Sequence, residues 1–166
     1  VILLALLSLL PLISIQSYSF ASPGLYPTER NWLVSVLILT TTIIPIVIFL
    51  IWYQGIPILF ELSEASGRPD GVLVRYDAYS IFSIGMAISW VLVVWSMTTI
   101  SLSLTRIFGM INNGQTRFRK RLLAISTGVI ILTLPIEFDG LKIIIGIISA
   151  ILADFVSGTM PVRIIS

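Results

Sequence analysis

The chain has 166 residues, 57% of them hydrophobic and 11% charged, with a net charge of +2 and neither Cys nor His. A soluble domain of this size carries about 25% charged residues, and here the apolar residues come in blocks, so the composition points to a multi-pass membrane protein. The missing Cys and His exclude disulfides, thiolate nucleophiles, Cys/His zinc sites and histidine bases, and the small net charge excludes a nucleic-acid surface.

Residues 1–15 are apolar and carry Pro11, which is tolerated in a membrane helix but kinks it. At about 1.5 Å per residue this run reaches roughly 22 Å, less than the ~30 Å hydrocarbon core. No basic region precedes it, so it does not read as a signal peptide. A polar elbow follows at 16–31. It holds Glu29 and Arg30, the only two charges in the first 60 residues.

Residues 32–53 form the clearest span, uncharged, with Trp32 and Trp52-Tyr53 placed as interfacial anchors. Pro45 is expected to bend it, and the hydroxyls of Thr40-Thr41-Thr42 to bond back to the helix backbone. The polar loop 54–77 begins with a short interfacial helix at 56–62 and turns at Gly67 and Pro69-Asp70-Gly71. Residues 78–105 make a long span, with Trp90 and Trp95 packing between helices. The loop 106–121 turns at Asn112-Asn113-Gly114 and carries Arg117, Arg119, Lys120 and Arg121. Two short apolar segments, 122–136 and 141–156, form a tight hairpin that leaves the bilayer locally thin. The expected fold is therefore a single all-α membrane domain of five transmembrane helices, the last two short.

Alternating sides place Arg30, Arg106, Arg117, Arg119, Lys120, Arg121 and Arg163 on one side, seven of the ten basic residues. Six of the eight acids lie opposite. The positive-inside rule then puts the elbow, the 106–121 loop and the C-terminus inside. Asp154, near the inner end of its helix, reads either as a functional membrane carboxylate or as the partner of a basic loop residue, and the second reading is preferred.

The elbow reads Phe20-Ala21-Ser22-Pro23-Gly24-Leu25-Tyr26-Pro27-Thr28-Glu29-Arg30. It resembles the first cytoplasmic loop of the TatC family, the large membrane subunit of the twin-arginine (Sec-independent) protein translocase, with its pattern F-x-x-P-G-L-Y-x-x-E-[RK]. Pro11, Gln16 and Phe20 keep the spacing of the family's second helix. Leu132-Thr133-Leu134-Pro135 resembles the L-T-P-P that closes the fifth, and Arg117, Arg119, Lys120 and Arg121 resemble the basic second cytoplasmic loop. The family's N-terminal segment and first helix have no counterpart in this sequence. The acid or amide of its fourth helix is absent from 90–99, and Ile136 stands where the family has an aspartate.

The resemblance implies a TatC-like bundle that recognises twin-arginine signal peptides at Glu29, with Phe20, Leu25 and Tyr26 beside it. Pro11, Gln16, Pro23, Gly24 and Pro27 would shape the backbone. A carboxylate accepts paired N–H bonds from a guanidinium. Glu29 equally suits an internal pair with Arg30 or the basic loop, or a helix start favoured by the dipole. The implied partners are membrane lipid, single-span translocase subunits, signal peptides and a separate chain supplying the first helix. No catalytic residue, metal or cofactor is expected. The rival reading is a TatC-derived structural subunit of an organellar respiratory complex, bound to respiratory subunits. The short length and non-Met start favour the mitochondrial inner membrane over a thylakoid or bacterial plasma membrane.

Overall fold

A computed structural model describes residues 1–65, 75–109 and 116–161, with side chains described for 1–63, 78–109 and 117–161. The turns expected at Gly67, Pro69-Asp70-Gly71 and Asn112-Asn113-Gly114, and the tail residue Arg163, lie outside the described residues. All regular structure among the described residues is helical.

Helix α1 (Ile2–Ala21) continues without a break past Pro11 and on through Gln16 and Phe20. The expected elbow of 16–31 thus shrinks to a few residues. The reason is local: 16–21 contains no glycine or proline, and backbone groups near lipid favour continued helix over loop. A single 3-10 turn (Ser22–Gly24) follows. Leu25 and Tyr26 are extended, and Pro27 opens α2 (Pro27–Ile38). Tyr26 is held extended because the proline ring excludes helical geometry from the residue before it, and Pro27 sits where a missing N–H is harmless.

Helix α2 does not stop at the expected boundary. A π turn (Leu39–Ile43), α3 (Ile44–Leu50), a second π turn (Ile51–Gly55) and α4 (Ile56–Ala65) continue it. Pro27–Ser63 forms one apolar rod of 37 residues, about 55 Å long. The separate interfacial helix expected at 56–62 is therefore the far end of this rod. Each π turn precedes a proline, Pro45 and Pro57. A π turn widens the helix where the proline ring would strike the carbonyl four residues back, so the rod absorbs both prolines without breaking. Of the three threonines, Thr40 bonds back to the Val36 carbonyl at 2.9 Å, whereas Thr41 bonds across to Ser14 of α1.

Helix α5 (Arg75–Ile107) is the central post. It packs against α1, α4, α6 (Thr116–Thr133) and α7 (Lys142–Gly158). It ends where Gly109, at φ +70°, donates its N–H to the Arg106 carbonyl at 3.1 Å; the left-handed conformation there favours glycine. Lipid removes the hydrophobic drive between membrane helices, so close packing and hydrogen bonds hold them. The interface shows both. Ser89, Ser96 and Ser103 are buried along α5, and Gly146, Ser149, Ala150, Ala153 and Ser157 along α7. Thr98 donates to Ser126 of α6 at 2.7 Å, and the Trp52 indole donates to Ser89 at 3.0 Å. Trp52 thus packs on α5 rather than serving only as an interfacial anchor. Trp90 and Trp95 pack against core clusters, as expected from their position.

The hairpin of α6 and α7 is short. A 3-10 turn (Ile136–Phe138) caps it, and Ser83 of α5 donates to Glu137 there at 3.0 Å. Among the described residues three helices are long and apolar enough to cross a membrane, 2–24, 27–63 and 78–107; α6, whose first turns carry Arg117, Arg119, Lys120 and Arg121, and the shorter α7 are not among them. The pair meets closely at Gly146, where an added Cβ would lie 2.9 Å from the Thr127 methyl. Gly146→Val is expected to destabilise the hairpin by about 1–3 kcal/mol through overpacking. Unfolding in mixed micelles measures this. Gly128→Ala, in open space on α6, is the control and is expected to be neutral or up to about 1 kcal/mol stabilising.

Candidate functional site

The elbow and the ends of α5, α6 and α7 gather at one end of the bundle. Phe20 meets Phe108 edge-on with ring centroids 5.5 Å apart. The Trp32 indole donates to the Thr159 hydroxyl at 3.0 Å. These two contacts tie the elbow to the ends of α5 and α7.

Within the elbow the side chains divide by exposure. Phe20 and Tyr26 are 75% and 63% exposed, and Glu29 only 3%. Leu25 is half-buried against the cluster of Leu10, Ala21, Leu33, Leu37 and Ile100. Glu29 lies in the first turn of α2, and one carboxylate oxygen accepts the Tyr26 N–H at 3.3 Å. A carboxylate in the first turn satisfies an unbonded N–H and complements the positive end of the helix. Phe20 and Tyr26 therefore stand at the surface while the acid of the same elbow is buried. Pro11, Gln16, Pro23 and Pro27 are exposed. Gly24 has no positive φ, and a Cβ added there meets open space. Its backbone does not require glycine; its bareness leaves the main chain open to close approach.

The expected basic cluster splits. Arg117, Lys120 and Arg121 are exposed, whereas Arg119 is half-buried and turns toward Asp154, Nε to Oδ1 3.8 Å. Arg106, in the last turn of α5, makes the tighter contact with Asp154, Nη2 to Oδ1 2.8 Å. Its Nε donates to Ser157 at 3.1 Å. Asp154 is thus the counter-charge of two guanidiniums, in line with the preferred reading of its position. One residue important at this end, Tyr18, carries little signal in the sequence. Tyr18 accepts a hydrogen bond from the Arg30 Nε at 2.6 Å, and its ring lies 5.5 Å from the guanidinium carbon. Residues 18 and 30 lie across the elbow, so the pairing appears only once α1 is seen to continue to Ala21.

Groups of three or more His, Cys, Asp or Glu side chains able to hold a metal are absent among the described residues. The arrangement is one of apolar surface, a recessed acid and exposed cations, suited to gripping a chain or a lipid surface.

A family model described as Sec-independent protein translocase protein (TatC) matches residues 1–152. Comparisons with curated proteins and with solved structures return no match.

The geometry around Asp154 is directly testable. Asp154→Asn leaves Arg106 half-enclosed without its counter-charge. The expected loss is about 2 kcal/mol, between the figures for exposed and for fully buried pairs. It reads out as a lower denaturant midpoint in mixed micelles, and Asp154→Glu should recover part of it.

Proposed function

This chain belongs to the TatC family of Sec-independent protein translocase proteins, and on that footing we propose that it docks twin-arginine signal peptides at the elbow. The family is a transport family, and its members work with other translocase subunits in a membrane. The finer reading rests on one observation. The motif acid Glu29 is buried and accepts the Tyr26 N–H, in the same elbow that exposes the aromatic rings of Phe20 and Tyr26.

The chemistry follows from that burial. A guanidinium reaching Glu29 leaves water and gains a paired, charge-assisted contact in a site of lowered dielectric. Phe20, Leu25 and Tyr26 offer apolar contact to the neighbouring peptide, and Gly24 lets the backbone come close. Arg117, Lys120 and Arg121 face outward at the same end of the bundle. By the positive-inside rule that end is the inner one. A single-span subunit would complete the translocase, and the short α6–α7 hairpin would thin the bilayer beside it. The membrane we favour is the mitochondrial inner membrane.

The low exposure of Glu29 favours a second reading. An acid that caps its own helix can be purely structural, as in a TatC-derived scaffold subunit of a respiratory complex.

Benzoylphenylalanine placed at Tyr26 separates the two in membranes energised for transport. The docking account expects crosslinks to a twin-arginine signal peptide that weaken at least about tenfold with Glu29→Gln, the loss of one charge-assisted contact of about 1.5–3 kcal/mol. Undiminished crosslinking in Glu29→Gln removes Glu29 as the receptor acid. No crosslink in the unmodified background removes docking at the elbow.

A further inference from the structure

The lipid-facing side of α1 and α2 carries a groove of about 470 Å³, lined by Ile15, Tyr18, Val34, Leu37, Ile38 and Thr42 among others. Its walls are almost wholly apolar. It runs along the helices from Tyr18 to Pro11 on one side and from Val34 to Thr42 on the other, about 10–12 Å at 1.5 Å per residue. The π turn at Leu39–Ile43 forms part of one wall.

A cation closes the elbow end of this groove. Arg30 lies one helical turn before Val34, on the same face of α2. Its guanidinium is held by the Tyr18 hydroxyl and rests over the Tyr18 ring, which itself lines the groove. Arg30 is exposed, and no carboxylate pairs with it among the described residues. Its nearest acid in sequence, Glu29, is turned into the bundle. Glu29 and Arg30 are the only charges in the first 60 residues, so this is where α1 and α2 meet the headgroup layer.

We propose that this groove is a binding site for one anionic phospholipid, with its phosphate on the Arg30 guanidinium and an acyl chain along the α1–α2 groove. The guanidinium presents paired donors that match phosphate geometry, and Tyr18 fixes their direction. A zwitterionic lipid brings its own cation to the same place, so an unpaired arginine selects the anionic headgroup. An apolar protein helix would fill the groove but leave Arg30 without a counter-charge. The site stands apart from Glu29, and the assignment does not rest on signal-peptide docking.

The test uses the full chain in nanodiscs doped with phosphatidylglycerol bearing a diazirine in its acyl chain, with labelled positions mapped by mass spectrometry. Labelling is expected to concentrate in residues 11–18 and 34–42 over other lipid-exposed positions such as Leu132 and Ile151. Arg30→Gln should lower groove labelling about fivefold, the weight of one interfacial basic residue, and Arg30→Lys should retain most of it. Thr42→Trp, which plugs the groove without touching the cation, should also lower it. Circular dichroism confirms that each variant keeps its helix content. Uniform labelling over the lipid-facing surface would overturn the proposal. So would equal labelling by a phosphatidylcholine probe, labelling unchanged in both Arg30→Gln and Thr42→Trp, or a protein helix crosslinked in the groove of native membranes.

Discussion

The ion pair between Arg106 and Asp154 is the contact on which one end of this bundle depends. Neither charge can remain alone where lipid replaces water, because an unpaired charge is strongly disfavoured in that medium. Asp154 therefore draws in Arg106 from α5 at 2.8 Å and Arg119 from α6 at 3.8 Å. Three helices are fixed at their ends by one carboxylate. The elbow is then located by two lighter contacts, Phe20 on Phe108 and Trp32 on Thr159. The place where Glu29 sits is thus set in part by charges far along the chain, on α5, α6 and α7.

Below that end the packing is of a different kind. Small residues on α5 and α7 let the two backbones approach, and hydroxyls bond within and between helices. The central post is long and the hairpin beside it short. Apolar length differs among these helices, and a mismatch of that kind is what a bilayer accommodates by local thinning.

Much of this layout was legible in the sequence because it follows from apolar length and charge placement. The five helices, the short final pair and the packing roles of Trp90 and Trp95 come from hydropathy and position alone. Asp154 was readable because a lone acid in an apolar helix demands a cation. The elbow's extent was not readable: polar residues at 16–21 suggest a loop in isolation, yet near lipid the helix continues to Ala21. The 37-residue rod was hidden for a related reason. Gln54-Gly55 suggests a boundary after Tyr53, and the π turns that carry the helix past Pro45 and Pro57 have no simple sequence mark. Glu29 illustrates the limit of a motif. The motif suggests an offered receptor acid and the residues equally allow a helix-start carboxylate; the structure places it in the first turn of α2, buried and accepting the Tyr26 N–H. Tyr18 and Arg30 went unpaired in the sequence because their contact depends on the shortened elbow.

A TatC-type chain with a recessed acid stands between two roles, receptor and scaffold, and its partners distinguish them. The most direct measurement is purification of the native assembly under mild detergent, with its components identified and counted. The account expects single-span translocase subunits in fixed proportion to this chain, with twin-arginine signal peptides retained at the elbow. Stoichiometric respiratory subunits with no translocase subunit and no signal peptide would contradict it.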